Sequence, residues 1–355
     1  MRIAVIGTLG PPGPERDGID KALREVFPRL ARRGHRVDVF CERKGRPSAP
    51  LGEARLRTLP HLPLGWGEAS PHAVLGAVLA ALGGYHVVNF IAAQPCGLYS
   101  MAARLGRGRV VVSVHGDGDP VAGGPLALAA RFADAVTVSS RRLERLFRDS
   151  FGRDAVYIPN GVDPPGHPAD PALLAPLGLA PGSYVLFADR LEPETGAHVA
   201  IAAANVLPPG CRLVIAGVGN GDDEYARQLR QGADPSRVVF TGRVAPPLLD
   251  ALMGHAYLYL LPSQADEAPE TLVASLAHGG AVVASDVPEH LDVVGGDGFT
   301  FTAGDVGDLR RVLSWLTADA EVVARMRRRA AENAAQRFGW DRIADAYEQV
   351  YKAIL

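Results

Sequence analysis

Short apolar runs and amphipathic stretches alternate along almost the whole chain. Apolar runs stand at Arg2–Gly7 (RIAVIG), Arg36–Cys41 (RVDVFC), Tyr85–Phe90 (YHVVNF), Arg109–Val114 (RVVVSV), Ala135–Ser139 (AVTVS) and Ala155–Pro159 (AVYIP). They are continuous or nearly so, the pattern of strands covered by helices on both faces. Between them lie helical periodicities such as Ile19–Gly34, where the final glycine suits a C-terminal cap and Pro28 predicts a kink or a break. Strand–helix alternation of this kind specifies a parallel, doubly wound sheet. A proline-rich stretch, Pro164–Gly182, interrupts the pattern and reads as a linker. The alternation then resumes with strands at Tyr184–Ala188, Arg212–Gly217, Arg237–Gly242, Tyr257–Ser263 and Ala281–Ser285. Two helices, roughly Glu321–Arg337 and Trp340–Leu355, close the chain. Two Rossmann-like domains follow, over 1–165 and 166–337, with ligands expected at the C-terminal ends of their strands.

Composition narrows this reading without naming a chemistry. A chain of 355 residues suits two α/β domains, and 47% hydrophobic with 21% charged residues is ordinary for a globular protein. The net charge of −2 gives no electrostatic footprint for nucleic acid. Any anionic ligand must therefore be held locally. Cys41, Cys96 and Cys211 form no C-x-x-C pair, so neither a metal site nor a disulfide framework is expected; small buried residues in a reducing cytoplasm fit them better. MRIAVIGTLG is a strand followed by glycine, too short for a signal peptide or a membrane span, and the expectation is a soluble cytoplasmic protein. No G-x-G-x-x-G follows that strand, which argues against a nicotinamide enzyme. The apolar stretch Pro71–Gly84 admits a membrane-docking helix but its length and place between two strands favour a packed one. The arginines of Arg325–Arg337 read as a solvated helix face.

Specific motifs point further. IPNGVD (Ile158–Asp163) stands at the domain junction, after FADAVTVSS (Phe132–Ser140) and VHG (Val114–Gly116). ADRLEPETG (Ala188–Gly196), VVFTGRV (Val238–Val244), YLYLLPS (Tyr257–Ser263) and GGAVVASDVPEHLDVVG (Gly279–Gly295) follow in order. In this order and spacing the chain resembles the retaining family-4 glycosyltransferases of the GT-B fold along nearly its whole length. The resemblance implies two Rossmann-like domains facing a cleft, with a last helix, 338–355, that returns to the first domain. It also implies transfer of a sugar or sugar-like unit from a nucleotide diphosphate to an acceptor, with retention and without a metal or other cofactor. The partners implied are a nucleotide sugar and an acceptor, with room for a homo-oligomer or a partner glycosyltransferase.

The same resemblance assigns residues. A leaving diphosphate gathers negative charge, so it needs cations and N–H groups aimed at it. Arg190 stands at the family's arginine, while Thr195 replaces the lysine and Asp189 the preceding glycine. His115 matches the histidine beside the donor sugar; Asn89 stands where relatives often carry another histidine. The two glutamates of the family motif fall on Asp266 and Ala274, and only the first keeps a carboxylate. Asp266 is thus assigned the donor sugar hydroxyls, the main chain of Thr241, Gly242, Arg243 and Val244 the base, and the amides of Thr271, Leu272 and Val273 the phosphates. The acceptor-side loop is Gly7–Gly18, with Gly10 and the pair Asp17–Gly18. Plainer readings stand beside these: His115 capping a strand, Arg190 pairing with Glu192 or Glu194, and Asp266 capping a helix. Glu267 and Glu270 bring negative charge to the helix start, where one like-charged pair at about 4 Å costs on the order of 4 kcal/mol at an effective dielectric near 20. The losses at Thr195, Glu270 and Ala274 define the alternative, an inactive GT-B scaffold that binds a partner.

Overall fold

The computed structural model describes residues 1–8, 18–42, 51–59, 71–92, 101, 103–115, 124–162, 169–219, 224–265 and 270–355. Gly10, Asp17, Asp266 and Glu267 lie outside them. The chain forms two compact units, Met1–Gly161 with Trp340–Leu355, and Val162–Gly339.

Unit 1 contains β1 (Arg2–Thr8), α1 (Gly18–Arg32), β2 (Arg36–Glu42), β3 (Arg55–Leu59), α2 (Pro71–Leu82), β4 (Val87–Ala92), β5 (Arg109–Val114), α3 (Pro125–Phe132), β6 (Ala135–Val138), α4 (Arg141–Phe151) and β7 (Val156–Tyr157). Its seven strands run parallel in the order β3-β2-β1-β4-β5-β6-β7. Unit 2 contains β8 (Tyr184–Ala188), α5 (Ala197–Ala203), β9 (Arg212–Ala216), α6 (Glu224–Gly232), β10 (Val238–Gly242), α7 (Pro246–His255), β11 (Leu258–Leu261), α8 (Glu270–Ala277), β12 (Val282–Ser285), α9 (Pro288–Val294), β13 (Gly298–Phe301), α10 (Val306–Ala318) and α11 (Ala320–Phe338). Its six strands are parallel in the order β10-β9-β8-β11-β12-β13. Both orders reverse direction once, between β1 and β4 and between β8 and β11, which are the switch points where open α/β sheets bind ligands.

The last helix, α12 (Trp340–Ala353), completes unit 1. Its Trp340, Ile343, Ala344, Tyr347, Val350 and Tyr351 share a core with Ile3, Val5, Val87 and Val111. Charge pairs flank the seam: Arg29 with Asp341 at 3.2 Å, and Arg33 with Asp345 at 2.6 Å and Glu348 at 3.1 Å. The chain leaves unit 1 after Gly161, whose Cα is pressed on the Trp340 ring so closely that a Cβ would stand 2.4 Å from it. Within unit 2, Val162 pairs with Gly339, and its N–H donates to the Phe338 carbonyl at 2.8 Å.

Three local expectations are corrected. Of the kink or break expected at Pro28, α1 shows no break, because Val26, Phe27 and Leu30 around it are wholly buried and their packing outweighs one lost hydrogen bond. The described part of Pro164–Gly182 is no free linker: Leu174 and Leu179 are buried in the core of unit 2. Asn89 does not stand at a ligand surface. Fully buried in β4, it donates to the Tyr351 hydroxyl at 2.8 Å and accepts from Ser113 at 2.9 Å, which in turn accepts from Thr137 at 2.8 Å. This polar row ties three strands to α12. α2 packs through Ala77 and Ala80 and leaves Val74, Leu79 and Leu82 exposed. Among the described residues no helix is long and apolar enough to cross a membrane.

Candidate functional site

The segment after β8 turns on itself before α5 begins. Thr195, 5% exposed, places its hydroxyl 2.7 Å from the Arg190 carbonyl and 2.8 Å from that of Glu192. The Thr195 side chain is therefore spent on holding its own loop. Gly196 follows at φ +76°, and a Cβ there would stand 2.3 Å from the Pro262 carbonyl. Only glycine lets this loop lie so close to the end of β11. From the other side, the Gln264 N–H donates to the Glu194 carbonyl at 2.8 Å and the Ser263 hydroxyl lies 3.3 Å from the same oxygen.

The two strand ends enclose a pocket of about 300 Å³ lined by Asp189, Arg190, Glu192, Glu194, Thr195, Ser263 and Ala265. It opens at the β8/β11 switch point of unit 2. The Arg190 side chain is 64% exposed and its Nη1 lies 3.4 Å from Glu192 Oε1, so it is both paired and reachable. Asp189 accepts the Arg190 N–H at 2.7 Å. Burial raises its carboxyl pKa, opposed by the Arg190 N–H and guanidinium and reinforced by the Glu192 charge. With three acidic side chains around one arginine, an anion entering here competes with Glu192 for the guanidinium.

Other predicted residues of unit 2 lie beside this pocket and do not line it. Thr241 and Gly242 end β10, which is separated from β8 by β9, about 10 Å away at ordinary strand spacing. The Thr241 hydroxyl is turned to the Gly242 carbonyl at 3.1 Å, Gly242 has φ +69°, and Arg243 and Val244 lead on toward α7. Thr271, Leu272 and Val273 form the first turn of α8, whose N–H groups have no partner within the helix. Leu272 and Val273 bury their side chains in the core, which leaves the main chain to meet a ligand. The Thr271 hydroxyl oxygen is sealed from solvent with no hydrogen-bond partner among the described residues.

In unit 1, Gly18 opens α1, and His115 directly follows β5, 7% exposed. Burial pushes its imidazole pKa down to about 4, against the Asn160 side chain, which favours the protonated ring. Nδ1 of His115 and Oδ1 of Asn160 are both buried, with no hydrogen bond of full geometry among the described residues. The motifs VHG and IPNG thus meet at one place, which the sequence reading treated separately. Asn160, Ser263, Ser285 and His290 were not singled out as site residues from the sequence, although each stands within one of the quoted motifs.

Residues 179–337 match the family model described as Glycosyl transferases group 1, and residues 16–165 that described as Glycosyltransferase Family 4. Over 213 residues the chain is 31% identical to the phosphatidyl-myo-inositol mannosyltransferase of Mycolicibacterium smegmatis, covering 58% of this chain and 54% of that one. It is thus matched over about half the length of that relative. Over 387 residues it is 28% identical to the D-inositol 3-phosphate glycosyltransferase of Xylanimonas cellulosilytica, covering 94% and 91%. Among solved structures, Anabaena HepE in complex with UDP superposes with a TM-score of 0.79 at 23% identity, over 99% of this chain and 100% of that one. Sucrose-phosphate synthase from Thermosynechococcus elongatus gives 0.74 at 19%, over 99% and 98%. At these identities the structural likeness is one of fold.

Proposed function

Because the chain belongs to the group 1 and family 4 glycosyltransferases and has their GT-B fold, we propose that it transfers a sugar or sugar-like unit from a nucleotide diphosphate to an acceptor. The observation that carries this reading is the pocket at the β8/β11 switch point, with the exposed guanidinium of Arg190 in it. In this reading unit 2 holds the donor. Arg190 releases Glu192 and meets the diphosphate, the amides of Thr271–Val273 meet the phosphates without a metal ion, and the main chain of Thr241–Val244 meets the base. Asp266 holds donor hydroxyls, and His115 stands beside the transferring ring.

The bond from the sugar's anomeric carbon to the diphosphate breaks as the acceptor oxygen bonds that carbon from the same face. The acceptor's proton passes to the departing phosphate oxygen, and the configuration is retained. Work in the cytoplasm fits the three scattered cysteines.

Titration calorimetry with UDP, GDP, dTDP and ADP tests this, UDP first because HepE was solved with it. Micromolar binding of one nucleotide, weakened at least about tenfold in Arg190→Ala, is expected; about 1.4 kcal/mol per tenfold is what one charge-assisted contact contributes. Undiminished binding in that variant removes the assignment of Arg190. Silence across the panel from folded protein removes the donor reading and returns the scaffold one.

A further inference from the structure

Ser285 ends β12 and His290 lies in α9; neither has any exposed surface. Neither lines the pocket, yet a directed chain of hydrogen bonds runs from them to its wall. Ser285 Oγ makes a short hydrogen bond to the Ser263 carbonyl and lies 2.9 Å from His290 Nδ1. A carbonyl can only accept, so the one hydroxyl proton of Ser285 goes there. Its oxygen is then the acceptor, and His290 Nδ1 must carry the proton that it donates.

The next link is fixed in the same way. Ser263 Oγ accepts the Ala265 N–H at 3.1 Å and donates to the Glu194 carbonyl at 3.3 Å, which also receives the Gln264 N–H at 2.8 Å. Glu194 adjoins Thr195, whose hydroxyl faces the Arg190 carbonyl. Each acceptor in this row is a main-chain carbonyl or a hydroxyl already committed as donor. Reversing any one link would leave a buried polar group unmatched.

We infer that Ser285 and His290 are positioning residues for the Arg190 pocket: they fix the Ser263–Ala265 segment, and through it the loop that aims the guanidinium. This rests on reading the pocket as the donor site. It goes beyond the residues assigned to the donor, because it gives a task to two side chains that no ligand would touch.

The test uses the whole protein and two readouts. The first needs no ligand: hydrogen exchange at the Gln264 amide. Ser285→Ala and His290→Leu are expected to speed it about tenfold, the size of one lost buried hydrogen bond. His290→Asn, whose side-chain N–H can stand near the place of Nδ1, is expected to restore most of the protection. Asn333→Ala is the control, since it deletes a 2.6 Å hydrogen bond to Asp297 elsewhere in unit 2. The second readout is affinity for the nucleotide that binds the wild type, expected to fall about tenfold in the first two variants and to recover in His290→Asn.

Unchanged exchange in Ser285→Ala, or equal acceleration in Asn333→Ala, overturns the inference. So does full nucleotide affinity in both disrupting variants. If those two do not fold, His290→Asn against His290→Gln asks the same question with two polar side chains, only the shorter of which places its amide near Nδ1. Accelerated exchange in a protein that binds no nucleotide would sink the donor reading alone and leave the coupling of His290 to the loop standing.

Discussion

The Thr195 hydroxyl is committed within its own turn, between the carbonyls of Arg190 and Glu192. Thr195→Val should cost about 1–2 kcal/mol in denaturant unfolding of unit 2, by leaving buried acceptors without a donor. Glu192→Gln should act the other way on binding. It removes the carboxylate that competes for Arg190, and nucleotide affinity measured by calorimetry should rise several-fold, about 1 kcal/mol for a partly exposed pair. His115 gives a pH signature. The unfolded chain takes up its proton near the ordinary 6.5, and the folded one only near 4, because burial disfavours the charged ring. Between those values the unfolded state binds more protons, so stability should fall as pH falls through that window, by at most about 3 kcal/mol. His115→Gln should flatten this loss in urea titrations at pH 7 and pH 4.5, with the imidazole titration followed by NMR. A motif drew attention to Arg190 and His115, and the structure places the first in a pocket and the second, buried, after β5. Ser285 and His290 also stand in a quoted motif, Gly279–Gly295, but that their side chains meet depends on how β12 turns into α9.

At the scale of elements, the apolar runs predicted the interior of both sheets and one edge of each, β7 and β10, and missed the other edge. β3 (RLRTL) and β13 (GFTF) are edge strands, paired on one side only. Arg55 and Arg57 in β3 give it the polarity of a loop, and charged side chains are what exposed edges commonly carry. At Pro28 the opposite happened, since the break that a local rule allows was overruled by the core around it. The returning helix α12 was expected from resemblance, and the structure supplies its cause: an apolar face against β1, β4 and β5, bordered by charge. Glu348 is central there, 3.1 Å from both Arg33 and His35 and 2.5 Å from Lys352, and its carboxyl pKa is held down at about 2, chiefly by Lys352. The stabilisation it brings is complete above the ordinary carboxylate value of 4.5 and is lost as pH falls toward about 2. Glu348→Gln should speed amide exchange at Tyr347 and Tyr351 at neutral pH. It should also remove the acid-dependent part of that exchange below pH 4.5.

For the whole molecule, the consequential feature is that unit 1 is assembled from both sides of unit 2 in the sequence. Removing residues 340–355 strips six buried side chains, from Trp340 to Tyr351, from its core. At about 1.5–3 kcal/mol for each large apolar side chain, that loss matches or exceeds the roughly 5–15 kcal/mol by which a domain is stable. The truncated chain should therefore lose cooperative unfolding of unit 1 while unit 2 keeps its own transition, which calorimetric scanning would resolve; two intact transitions would refute it. The same arrangement sets a timetable during synthesis. Unit 2, continuous from Val162 to Gly339, is translated before the segment from Trp340 onward that unit 1 needs. The part translated first is finished last. Until α12 arrives, the nascent sheet shows an apolar strip around Ile3, Val5 and Val87, and whatever shields that strip in the interval has a direct hand in how much protein the cell obtains.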